Sequence, residues 1–396
     1  MPSQANADVP AEELHRIIRE ELRPHFAELA KCVSTPELFE SQAYQLVRRE
    51  AELVLETPDY GDFSHGSAEA KSAYRIVAWN LERGIHYAPQ LEAFRSHPYL
   101  STADVLLLTE TDVGMARSGN RGIAQDLARE LGMSYAFSPC YLNLAKGSGV
   151  EYEVEGENDL GLHGNAILSR YPIRNVRPIA LKNGKDKMTG REKRLGRQTA
   201  TVADIDFPGQ TVTFVSVHLD ANSSQRHRHD QMRDVLDGLT DELPAVIGGD
   251  WNTSTYDSSK AWRAIAGFWL RVFMGPDNVI RNHYLHPYNL FEKQLFDLLE
   301  ARGFDYKQSN LLGERTTSYD VDDIKTHKNL REWLPEWCFK FIRWALRNHD
   351  GKCPLKIDWF ATRGVTSRDP KVFHDFREGC RPPLSDHDAI GVDVVV

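Results

Sequence analysis

Cysteine is scarce in this chain. Five are spread over 396 residues, at Cys32, Cys140, Cys338, Cys353 and Cys380, and no two form a CxxC pair. The odd number and wide spacing exclude a zinc ribbon and a disulfide framework, and point to a reducing compartment. Long apolar runs are also missing; nothing approaches the roughly 18 residues of a spanning helix. The opening stretch, MPSQANADVPAEELHRIIREE, lacks the apolar core of a secretory signal, so the expected location is cytoplasmic. Positive charge is in deficit. With 48 Lys and Arg against 57 Asp and Glu, the net charge is −9. That argues against general nucleic-acid binding, although a local basic patch can sit on an acidic protein. There is no internal repeat and no low-complexity tract. What remains, 41% hydrophobic and 27% charged, is a globular composition long enough for one large domain or two ordinary ones.

The apolar pattern divides the chain. Leu14, Ile17, Ile18, Leu22, Phe26 and Leu29 recur at three- and four-residue steps, the signature of one helix face. STPELFESQAYQLVRREAELVLE predicts a second helix, with Ser34 or Thr35 as N-cap and Pro36 in the first position. TPDYGDFSHGSAEAKS reads as a linker. Residues 1–70 are therefore expected to be a helical extension with its linker, and 71–396 the main domain. From residue 74 short apolar runs alternate with helical ones, an α/β mixture with many strands.

The ends of those runs carry the chemistry. RIVAW ends in Asn80, VLLLT in Glu110, TFVSV in His218, and AVIGG in Asp250 and Asn252. LKI ends in Asp358, and Asp386 and His387 precede the last strand. Each alone has a bland reading: a GDxN is usually a turn, and a lone histidine is usually structural. Together they form a set of Asn, Asp, Glu and His on strand ends, which converge in a layered α/β domain. Carboxylates and amides suit a hard ion such as Mg²⁺ or Mn²⁺, and histidines supply proton transfer or phosphate contact. No cysteine joins them, which disfavours zinc. Hard-ion ligands with histidines are the equipment of phosphoester hydrolysis.

The ordered series WNL, LLTE, HGNAILSR, VHL, GDWN, IDWF and SDH resembles the endonuclease/exonuclease/phosphatase superfamily, over about residues 74–254 and 295–396. The resemblance implies a four-layered α/β sandwich, two packed mixed β-sheets flanked by helices. It implies metal ligation by Glu110 with Asn80 and Asp386. Asp250 and Asn252 would orient the attacking water and contact the phosphoryl oxygens, with His218 and His387 at the phosphate and Asp358 bonded to His387. Arg197 and Asn165 would touch substrate. Trp251 is expected to pack away from the site, and Gly248 and Gly249 to leave room beside the phosphate. The implied activity is metal-dependent, nuclease-like hydrolysis of a phosphodiester by direct water attack. A lipid or inositol head-group phosphatase or phosphodiesterase, sphingomyelinase- or 5-phosphatase-like, is the alternative; a non-catalytic binding module on the same fold is the alternative of another class. Partners would be nucleic acid, or a phospholipid or inositol phosphate. Oligomeric state is not legible.

Three features lie outside the motifs. HRHD at 227–230 looks like a metal cluster, but on a helix His227 and His229 point to different faces. The loop 181–197 holds seven basic residues against Asp186 and Glu192; a solvated loop is the default and an anionic-substrate role the alternative. Insertions at about 255–294 and 321–353 are rich in large side chains. Trp333, Trp337, Phe341 and Trp344 repeat at helical steps and predict a helix over 329–347, either packed or lining the substrate cleft.

Overall fold

The computed structural model describes residues 9–64, 69–147, 149–253, 257, 260–320 and 336–396. Its strands are β1 (Asp59–Asp62), β2 (Tyr74–Arg83), β3 (Val105–Val113), β4 (Ser134–Asn143), β5 (Leu162–Ser169), β6 (Ile173–Ala180), β7 (Arg194–Gly196), β8 (Thr199–Phe207), β9 (Gln210–Ser216), β10 (Ala245–Asp250), β11 (Thr317–Asp320), β12 (Lys352–Leu355), β13 (Asp358–Arg363), β14 (Thr366–Phe373) and β15 (Ala389–Val395). One sheet has the order β1-β4-β5-β3-β2-β15-β14, with β7 on β4; the other runs β13-β10-β9-β8-β6. Both mix parallel and antiparallel pairs.

The two-residue period of a strand builds the layers. Ile76 and Ala78 of β2 point into a core shared with Ala203, Ile205, Phe214 and Val246 of the second sheet. Val77, Trp79 and Leu81 point the other way, into a core with the N-terminal helices and the helices Tyr87–Ser96 and Ile123–Leu131. The outer face of the second sheet packs Val215, Val217 and Ile247 against Met232, Val235, Leu295 and Phe296 of two further helices. This is the expected four-layered sandwich.

The N-terminal region differs from its sequence reading in two places. The face Leu14–Leu29 is not one regular helix; it passes through a π turn at Ile18–Leu22 and a 3₁₀ turn at Arg23–His25. Pro24 supplies the reason, because it has no N–H to continue the ladder. Within the stretch read as a linker, Asp59–Asp62 forms β1 and pairs with β4. The second helix is capped as expected at its start: the Ser34 hydroxyl accepts from the Glu37 N–H. A break at Ser41 divides it into Thr35–Glu40 and Gln42–Glu56.

The insertions form a small unit of their own. Val279, Ile280 and Tyr284 of the first meet Leu346 of the second, and β11 pairs with β12 beside them. The described part of the expected 329–347 helix is Glu336–Ala345; Trp333 lies outside the described residues. Among the described residues no helix is long and apolar enough to cross a membrane.

Candidate active site

The ladder between β10 and β13 sets Asp250 directly opposite Asp358. Trp251 turns the other way, fully buried against Trp359 and Phe296, as alternation along the strand requires. The glycines before it serve a purpose other than the expected one. A Cβ on Gly248 would lie 2.7 Å from Leu107, between the sheets, and one on Gly249, at φ +135°, would lie 2.3 Å from the Val217 carbonyl. They allow close packing of sheet on sheet and strand on strand.

Asp250 is the hub. Its Oδ2 accepts from Asn80 Nδ2 at 3.2 Å and lies 3.4 Å from His218 Nε2 and 3.6 Å from His387 Nε2. Its Oδ1 accepts the backbone N–H of Asn252 at 2.9 Å. Burial pushes its pKa up to about 6, against the pull of the His387 and His218 charges. His387 Nδ1 faces Asp358 Oδ2 at 2.9 Å. Burial alone would lower the pKa of this histidine, but Asp358, Asp250 and Asp386 outweigh it and hold it well above the ordinary value. The pair is thus a cationic imidazole backed by a carboxylate, beside a carboxylate poised near neutrality.

Glu110 reaches the site through a distortion. The β2–β3 register shifts between Asn80 and Arg83, and the β3–β5 register between Leu108 and Thr111. Glu110 itself has φ +53°, and Glu82, Arg83 and Asn252 also lie in the left-handed region. Such residues cost energy and persist only where the surroundings impose them, and bulges re-aim side chains at strand ends. Among the described residues the Glu110 carboxylate makes no hydrogen bond; its nearest cations there are Arg83 Nε at 3.7 Å and His218 Nδ1 at 3.9 Å. Burial would raise its pKa, but Arg83 and His218 outweigh it and keep the group ionised. Two carboxylate oxygens not hydrogen-bonded among the described residues, with the Asn80 amide oxygen that accepts the Glu82 N–H, fit a hard divalent cation. Among the described residues, ligand atoms of Asp250, Asp358 and His387 also lie within 4.8 Å of one another.

Asp386 and Asn252 flank this hub, whereas Asn165 and Arg197 bond elsewhere. Asp386 is exposed at the rim, its backbone N–H donated to Glu82 Oε2 at 3.1 Å. Asn252 Nδ2 donates to the Leu219 carbonyl at 2.9 Å. Asn165 is buried, and its amide donates to the Thr199 carbonyl at 2.8 Å, joining the sheets. Arg197 is exposed and bonds Glu56 Oε1 at 3.2 Å, on the second N-terminal helix. Its loop uses other cations internally too: Lys187 on Asp220, Lys193 on the Cys32 carbonyl, Arg194 on Glu192. His227 faces the Lys182 carbonyl and His229 faces Asp230, so HRHD brings no ligand set together.

Three residues escape the sequence reading. Arg83 links Glu110 to Glu151; it stands three residues after Asn80, but only the bulge turns it inward. The Ser385 hydroxyl donates to the Asn80 carbonyl at 2.6 Å and accepts the His387 N–H at 3.1 Å, joining two strand ends. Lys356 is wholly buried, and among the described residues its ammonium has no hydrogen-bond partner; it lies 4.6 Å from the Trp359 ring centre.

Comparison with known proteins identifies the family. A family model described as the Endonuclease/Exonuclease/phosphatase family matches residues 77–387. The uncharacterized protein YbhP of Escherichia coli strain K12 is 30% identical over 140 residues, 35% of this chain and 49% of that protein. The chain thus matches about half the length of its curated relatives. The solved endonuclease/exonuclease/phosphatase from Beutenbergia cavernae DSM 12333 is similar with a TM-score of 0.51 and 14% identity, covering 82% of this chain and 72% of that one. A 3′-5′ exonuclease from Neisseria meningitidis gives a TM-score of 0.44 and 16% identity, covering 80% and 98%.

Proposed function

Since the chain belongs to the Endonuclease/Exonuclease/phosphatase family, whose members are hydrolases acting on phosphoester bonds, we propose that it is a divalent-metal-dependent phosphodiesterase that works by direct attack of water on phosphorus. The observation that carries this reading is the Asp250 Oδ2 hub, a buried carboxylate oxygen within reach of one amide and two histidines. Asp250 accepts a proton from the water as its oxygen bonds to phosphorus. His387, held cationic by Asp358, faces the phosphoryl oxygens with His218 and Asn252, and donates a proton to the departing oxygen as the P–O bond breaks. Glu110, with Asn80 and Asp386, would hold Mg²⁺ or Mn²⁺; a bound ion supplies charge neutralisation at the phosphoryl group. Asn165, buried where it joins the two sheets, and Arg197, paired with Glu56 on the N-terminal helix, are left out of this scheme.

Nucleic acid is one substrate class. A lipid or inositol head group is the second reading, favoured by the internal pairing of cations in loop 181–197. A panel of plasmid DNA, single-stranded RNA, sphingomyelin, inositol phosphates and bis-nitrophenyl phosphate discriminates, with Mg²⁺ or Mn²⁺ added. EDTA should abolish turnover and either ion restore it. Asp250→Asn should lower turnover on the order of 10² or more, the scale of general-base loss, and leave the circular dichroism spectrum intact. Full activity in metal-stripped protein would refute the assignment.

A further inference from the structure

The first insertion carries a helix turned inside out. In Ala261–Met274, Trp262, Ile265, Leu270 and Phe273 are 63%, 47%, 54% and 83% exposed, while Arg271 is buried. At 100° per residue these four apolar residues span an arc of roughly 140°, with Arg271 opposite Trp262. The protein holds the helix by its arginine. The Arg271 guanidinium lies 4.2 Å from the Phe291 ring centre, and Nη1 donates to the Gly267 carbonyl at 3.0 Å. The helix Glu336–Ala345 extends the same surface: Phe341 meets Trp269 at 5.7 Å between ring centres, and Trp344 is 53% exposed. An amphipathic helix that faces water with its apolar stripe is a binding element.

Charge identifies what it binds. Lys260, Lys340 and Arg347 are exposed on these two segments, and Arg263 and Arg343 are exposed there as well, each with a partner of its own. Cations flanking an aromatic and aliphatic stripe are complementary to an anionic lipid surface, where tryptophan rings settle at the headgroup level. Two copies meeting face to face through this patch would set like charges against each other. No described helix is long and apolar enough to span a bilayer, so the contact is peripheral. Its location fits: the second helix leads into β12, which pairs with β11, and Thr317 of β11 bridges to His387. We propose that these paired helices are a membrane-surface anchor that seats the protein on an anionic bilayer beside its active site.

The proposal goes beyond the catalytic reading and is tested by binding alone. The full chain is mixed at low salt with vesicles of phosphatidylcholine, or of phosphatidylcholine with phosphatidylglycerol, and sedimented. Partition onto the anionic vesicles is expected, weakening as salt rises. The double variant Leu270→Asp/Phe273→Asp should bind at least about tenfold more weakly, and Lys340→Glu/Arg343→Glu should lose the preference for phosphatidylglycerol. All four side chains are exposed, and circular dichroism verifies that each variant is folded. Absence of binding to either vesicle overturns the proposal. So does binding that the variants leave unchanged. So does a wild-type dimer in analytical ultracentrifugation that Phe273→Asp dissociates, which would make a second copy the occupant.

Discussion

Asp358 faces the His387 ring and helps to hold it cationic, and in the proposed mechanism it acts through that ring. Residues that act as a unit lose function together. Asp358→Ala should therefore lower turnover, and the double variant with His387→Ala should be hardly worse than His387→Ala alone. A steady-state double-mutant cycle measures this, and additive losses would refute the coupling. Lys356 lends itself to a stability test. Burial lowers its pKa to about 8, against the pull of Asp358 and Glu314. The unfolded chain binds its proton more tightly, so the native state carries a penalty at pH 7 that fades as pH rises from about 8 towards the unfolded value near 10.4. Lys356→Met should raise stability at pH 7 by on the order of 3 kcal/mol, a gain that shrinks above pH 8. Thermal melts at several pH values read it, and a gain independent of pH would assign the effect to packing.

At the scale of elements, one buried arginine ties the loop 181–197 to β3, the strand that carries Glu110. Arg117 bonds Asp112 through two nitrogens and also reaches Glu151 and Glu192. Burial would raise the pKa of Glu192, but Arg194, Arg117 and Arg83 outweigh it and hold the carboxylate well below its ordinary range. A depressed carboxylate contributes stability that is full above the unfolded pKa near 4.3 and is lost as pH falls through the folded one. Glu192→Gln should therefore cost about 1.5–3 kcal/mol at pH 7, with the difference from wild type closing below pH ~4. Chemical denaturation at the two pH values tests the sign.

At the scale of the molecule, the N-terminal helices and the sandwich share a core. Leu14, Leu22, Val47 and Val54 lie in one apolar cluster with Val77, Trp79 and Leu106. Polar contacts cross the same boundary: Arg19 to Asp159, Thr35 to Asp186, Glu56 to Arg197. We propose that the chain unfolds as one cooperative unit from residue 9 onward. Calorimetry should show a single transition that coincides with those followed by far-ultraviolet circular dichroism and tryptophan fluorescence. Two separated transitions would make the N-terminal helices a domain of their own.

The sequence by itself determined the alternating apolar runs, and with them the strands, because period and length are local properties of the chain. It also marked Asn80, Glu110, His218, Asp250, Asn252, Asp358 and His387, because each is a polar side chain standing at one end of an apolar run. Tertiary structure decided which of these meet. Asp250 gathers Asn80, His218 and His387 because β10 lies between β9 and β13 and packs on the other sheet; no spacing along the chain encodes that. It directed Arg197 to Glu56 and Asn165 to Thr199, since a side chain's partner depends on what the fold brings within reach. It turned Arg83 and Glu110 towards one another through bulges that no residue type announces. It also left Trp262 and Phe273 facing water, because the same amphipathic pattern reads alike whether its apolar stripe faces a core or a partner.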